Sequence, residues 1–156
     1  MKLVYTILIV LSTFITSKGQ SFSISDFIKM SNLDKNSFDS FATNKGFVFI
    51  QNVNTEYISR VEYELYYTPT DKTNVKKYLH FHTKYYSPYK RSIFYTTKDK
   101  DEYLRIKNEI KQLGFKLFEP NKNFQNSQYF RKDLGNFEIV ITTRDVYYEI
   151  NLHVKE

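Results

Sequence analysis

The stretch Asn44-Lys45-Gly46-Phe47-Val48-Phe49-Ile50 and its echo Gln112-Leu113-Gly114-Phe115-Lys116-Leu117-Phe118 decide how this chain is read. Each has a glycine, then a phenylalanine, then alternation into further apolar residues. Glycine suits the left-handed position just past a helix end, where a Cβ is strained. Both phrases therefore predict a helix stopped by Gly, with a Phe starting a strand.

Working back from Gly46, Asp34 is the expected start of a short helix carrying Phe38, Phe41 and Ala42 on one face. An earlier helix is expected to open at Ser23, with Asp26 three residues on and Ile24, Phe27 and Ile28 on one stripe. Working back from Gly114, Asp99 is the expected N-cap, with Glu102 three residues on making a capping-box-like start. Tyr103, Ile106, Ile110 and Leu113 form the apolar stripe.

Forward of each glycine the period changes to two. Strands are expected at 47–53, 58–67, 77–86 and 92–97, and again at 115–119, 128–133, 137–143 and 146–155. The segments 68–74 and 134–136, and Arg144-Asp145, read as turns. With Gly46 laid on Gly114, Phe38 falls on Ile106, Ala42 on Ile110 and Phe47 on Phe115. The fold class expected is α+β: an antiparallel sheet of about eight strands with helices on one side. It reads as a degenerate tandem α-ββββ duplication with pseudo-repeats 20–97 and 98–156.

The start of the chain suggests export. Met1-Lys2 is followed by the apolar run 3–15 and by Ser17 and Gly19 at the −3 and −1 positions of a cut before Gln20. This predicts a secretory signal peptide over 1–19, cleavage between Gly19 and Gln20, and a secreted or periplasmic single domain over 20–156. No membrane insertion is expected once the signal is removed.

The chain has no cysteine, which excludes a disulfide framework, a thiolate metal site and a Cys nucleophile. Lys and Arg number 23 against 17 Asp and Glu, spread without a basic run, so nucleic acid is not an expected partner. His80 and His82 share a strand face, and His153 lies on the polar face of the last strand. A three-His metal site, and with it a metal-dependent hydrolase, is the alternative function this allows. Glu62 and Glu64 also share a face, but Arg60 beside them reads as solvated charge balance. No nucleophile elbow, phosphate loop or His-Glu-x-x-His occurs. The chain is therefore read as a non-enzyme with no cofactor.

The remaining signal is a polar strand face rich in tyrosine. The alternation places Arg60, Tyr66, Tyr78, His80, His82, Lys84, Tyr86, Tyr147, Glu149 and His153 on the side away from the helices. Tyrosine among charges is a composition of protein-binding surfaces. The expected function is a secreted or periplasmic protein-binding module, inhibitor-like or immunity-like, with another protein as partner. A structural cell-envelope subunit is a further alternative, and the composition is silent on oligomeric state. In its order of helix and antiparallel sheet, repeated in tandem, the chain resembles the secreted β-lactamase-inhibitory proteins, which press a Tyr-bearing sheet face onto an enzyme. The resemblance implies a partner-binding sheet. Those inhibitors carry disulfides and this chain has no cysteine, so no residue role is carried over.

Overall fold

The computed structural model describes residues 21–56, 58–66, 75–84, 89–118, 126–132 and 136–155. The leader, its cleavage point, the 68–74 loop, Tyr86 and most of the 134–136 turn lie outside them, as do the side chains of Tyr66 and Lys84.

Among the described residues three helices form where the cap residues stand. The first, α1 (Ile24–Ser31), opens on a full capping box: Ser23 Oγ accepts from the Asp26 amide and Asp26 accepts from the Ser23 amide. The second, α2 (Lys35–Asn44), is capped by Asp34, whose carboxylate accepts from the Ser37 amide at 2.8 Å. The third, α3 (Lys100–Gln112), opens on Asp99, which accepts from the amides of Asp101 and Glu102.

Both glycine phrases end a helix in the same way. The Gly46 amide donates to the Thr43 carbonyl and the Phe47 amide reaches back to Ala42. The Gly114 amide likewise donates to Lys111 and Phe115 to Ile110. These are paired Schellman closures, and they need the positive φ of 85° and 82° that the two glycines supply.

The strands are β1 (Val48–Asn54), β2 (Ser59–Tyr66), β3 (Val75–Lys84), β4 (Tyr89–Thr97), β5 (Lys116–Phe118), β6 (Ser127–Lys132), β7 (Phe137–Thr143) and β8 (Tyr148–Lys155). They form one open antiparallel sheet in the order β1-β2-β3-β4-β8-β7-β6-β5, an α+β architecture. Two four-stranded meanders meet along β4 and β8, and β1 and β5 are left as the edges.

One face of the sheet is apolar and takes all three helices. Across the strands Val61, Phe81, Ile93, Leu152, Ile139 and Phe130 lie in one row. A second row runs through Tyr63, Leu79, Tyr95, Ile150 and Ile141. Phe27 and Met30 of α1, Phe38 of α2 and Ile106 and Ile110 of α3 close the core over them. Phe38 stacks on Phe81 at 4.3 Å between ring centroids, and Phe22 packs edge-on against Tyr95 at 5.1 Å.

Three details depart from the sequence reading. Glu102 does not complete a capping box. Its side chain turns into the core, where it accepts from Phe22 N, Tyr95 Oη and Thr97 Oγ1 and pairs with Lys77 at 2.9 Å. A buried carboxylate is tolerated only when its oxygens are met by donors in this way. The last strand begins at Tyr148, not at 146, because the Arg144 amide donates to the Tyr147 carbonyl and places Asp145 and Val146 at the tip of the turn. Val146 is therefore exposed rather than part of the apolar row. At the other side, β4 starts three residues early, at Tyr89.

Candidate functional site

The face opposite the helices carries the residues singled out in the sequence. Register pairing sets Arg60, His82, Ser92, His153, Glu138 and Arg131 side by side across six strands. The next row is Glu62, His80, Phe94, Asn151, Val140 and Tyr129. Tyr78, Thr96, Glu149 and Thr142 form a third. Arg60, Tyr78, His80, His82, Glu149 and His153 are thus brought onto one surface. Tyr147 stands at its margin, lining a shallow pocket of about 300 Å³ with Lys76, Tyr78, Thr96 and Lys98.

This surface is not uniformly exposed. Tyr78 is 38% exposed, but His82 and His153 are only 4% and 7% exposed and Ser92 is closed off altogether. The two imidazoles belong to the floor of the face. Phe94, on the strand between them, lies 4.5 Å from the His82 ring and 5.4 Å from His153, and Tyr89 covers His153 at 4.6 Å. Burial holds His82 down to a pKa of about 3, helped by the neighbouring His80 and Arg60 charges, and burial holds His153 down to about 4. Both rings are neutral at pH 7.

Glu138 is the electrostatic centre of the β7–β8 side. It accepts from Tyr89 Oη at 2.8 Å and from Arg131 Nε at 3.0 Å, with Lys155 Nζ at 3.7 Å. Burial opposes its charge, but these donors outweigh burial and hold its carboxyl below the ordinary value. Burial first, and then the same contact, push the Tyr89 phenol up to about 12. The Arg131 guanidinium carbon stands over the Phe118 ring, 3.5 Å from its centroid. Around this centre a groove of about 420 Å³ opens between Tyr89, Phe94, Tyr129, Val140, Arg144 and Asn151.

Ser92 Oγ and His153 Nδ1 share a hydrogen bond at 2.8 Å, and Glu138 pairs with His153 in register, which sets Ser, His and Glu in a row. However, the Ser92 hydroxyl has no access to solvent, and the Glu138 oxygens are engaged by Tyr89 and Arg131. A hydroxyl that no substrate can reach does not act as a nucleophile. The His80 and His82 rings are 6.4 Å apart, and among the described residues no three His, Asp or Glu side chains are grouped to hold a metal ion.

Several members of this face were not singled out in the sequence: Tyr89, Phe94, Arg131 and Glu138. Alternation already places Phe94 and Glu138 opposite the apolar rows, but their company with His153 depends on β4 and β7 both flanking β8. That pairing brings Ser92 to His153, 61 positions away.

Among the described residues no helix is long and apolar enough to cross a membrane. Comparison of the chain with protein-family models, with curated proteins and with solved structures finds no match in any of the three.

Proposed function

We propose that this chain is an exported, non-enzymatic protein-binding module, inhibitor-like or immunity-like, that docks a partner on the helix-free face of its sheet. The observation that carries the reading is the asymmetry of the sheet. The three helices of the described residues pack on one face, while the other carries a groove lined by His153, Phe94, Tyr129 and Arg144, with Tyr78, Arg131 and Glu149 elsewhere on the same face. Aromatic anchors inside a charged rim are the usual composition of a protein interface. A rigid antiparallel sheet also offers such a surface without ordering loops.

The two halves are read as degenerate copies of one α-ββββ unit. Supporting this are the matching Schellman closures at Gly46 and Gly114 and a strand order that mirrors about the β4–β8 seam.

The test is affinity capture from the secreted and periplasmic fractions of the source cell, with wild-type protein, a Tyr78→Ala/Arg144→Glu variant and a helix-face control, Leu104→Ala. A protein retained by wild type and by the control but lost with the sheet-face variant supports the docking face. Equal retention by all three forms refutes it.

A further inference from the structure

The two edges of the sheet are not alike. The β5 edge is three residues long, begins with Lys116, and has the Arg131 guanidinium laid over its Phe118. Shortness and positive charge are ways in which sheet edges are kept from pairing. The β1 edge has neither. It runs for seven residues, Val48-Phe49-Ile50-Gln51-Asn52-Val53-Asn54, with no charge and no proline. Val48, Phe49 and Ile50 are consecutive and 46%, 46% and 40% exposed. Its inner side pairs with β2, and α2 packs against it, but its outer row of amides and carbonyls faces away from the sheet.

We propose that β1 pairs antiparallel with β1 of a second copy of this chain, joining two eight-stranded sheets across a two-fold axis. Among the described residues no strand pairs with that outer row, and an added extended strand would replace its water with ladder hydrogen bonds. Every neighbouring pair in this sheet is antiparallel, and antiparallel self-pairing of one edge is the arrangement that a two-fold generates. Because β5 is basic and short, assembly through β1 closes at two copies and does not run on into a filament. The neutrality of β1 matters as well. The chain carries a net positive charge, so a seam that adds no charge avoids further like-charge repulsion between copies.

The bulge between Phe49 and Gln51 limits the paired length. A seam of about 23 Å buries well under the ~800 Å² per partner of a standard interface. The dimer is therefore weak and forms only at high protein concentration.

Sedimentation equilibrium of the wild-type protein from 5 to 500 µM is expected to show a monomer–dimer equilibrium. Ile50→Lys, at the bulge and clear of the core, is expected to weaken it at least about ten-fold. Leu117→Lys on the opposite edge is expected to leave it unchanged. Hydrogen exchange needs no variant: amides of β1 gain protection as wild-type concentration rises, while those of β5 do not. A wild-type monomer at 500 µM, equal effects of the two lysine variants, or β1 protection independent of concentration overturns the proposal. The first of these outcomes would leave β1 as an edge for a different protein's strand.

Discussion

Lowering the pH from 7 to 5 is expected to remove about 4 kcal/mol from the stability of this domain. His82 and His153 are held neutral in the fold, with pKa values of about 3 and about 4, against an ordinary value of 6.5. The folded pKa is depressed, so the unfolded chain takes up protons first. The stability these rings contribute is fully present above pH 6.5 and is lost as the pH falls toward the folded values. At pH 5 the unfolded imidazole lies about 1.5 pH units below its pKa, worth about 2 kcal/mol per ring. The folded rings remain neutral there and recover almost nothing. Both are less than a tenth exposed, so solvent screening reduces the figure little. The surroundings do not reverse the sign: Arg60 and His80 disfavour a second positive charge at His82, Lys155 does so at His153, and the attraction of Glu62 and Glu138 is too small to restore either ring.

His80, also lowered chiefly by burial, acts in the same direction. The carboxylates do not confuse the window. Glu62 and Glu138 sit below their ordinary 4.5 in the fold, so their contribution is lost only at lower pH. The assay is urea unfolding followed by far-UV circular dichroism at pH 7.5, 6.5, 5.5 and 5.0, since the chain has no tryptophan. Between pH 6 and 5 each histidine adds a slope of about 1.4 kcal/mol per pH unit, and His153→Gln should remove one such share. A domain of this size has about 5–15 kcal/mol in total, so the effect is large. A flat stability between pH 7 and 5, or an NMR titration giving His82 or His153 a folded pKa of 6 or more, would refute the reasoning.

Two further tests concern the core and the helix ends. Glu102→Ala leaves Lys77 buried without its carboxylate, and is expected to cost about 3–5 kcal/mol in urea unfolding. The double change to Lys77→Met and Glu102→Leu should recover much of that loss. Gly114→Ala places a Cβ in open space but keeps φ at 82°, so its cost is backbone strain alone, about 1 kcal/mol in the same assay.

The element order was legible in the sequence because each element rests on short-range physics. Asp34 and Asp99 cap helices through amides two or three residues away, and Gly46 and Gly114 stop helices because only glycine takes a positive φ without strain. Alternation put Arg60, His80 and His82 on one face and Val61, Leu79 and Phe81 on the other, since the strand period is two whatever the neighbours are. Where short-range signals competed, the sequence was ambiguous. Val146 continues the apolar alternation of β8, yet a backbone hydrogen bond from Arg144 to Tyr147 makes it a turn residue.

Only the tertiary structure decided which strands lie side by side, and with that the character of the open face. Ser92, His153, Glu138 and Tyr89 come from three strands, and their meeting rests on the β4–β8 and β7–β8 pairings, which no local pattern encodes. With the β3–β4 pairing beside them, these pairings turned His82 and His153 from solvent-facing polar residues into buried neutral rings beside aromatic neighbours. The packing of the third helix on the sheet drew Glu102 to Lys77 of β3 in the core, and the strand order left β1 as the one long neutral edge. Composition and period say what each strand carries on each face. The order of the strands, set by how two meanders close against one another and under three helices, says what those side chains become.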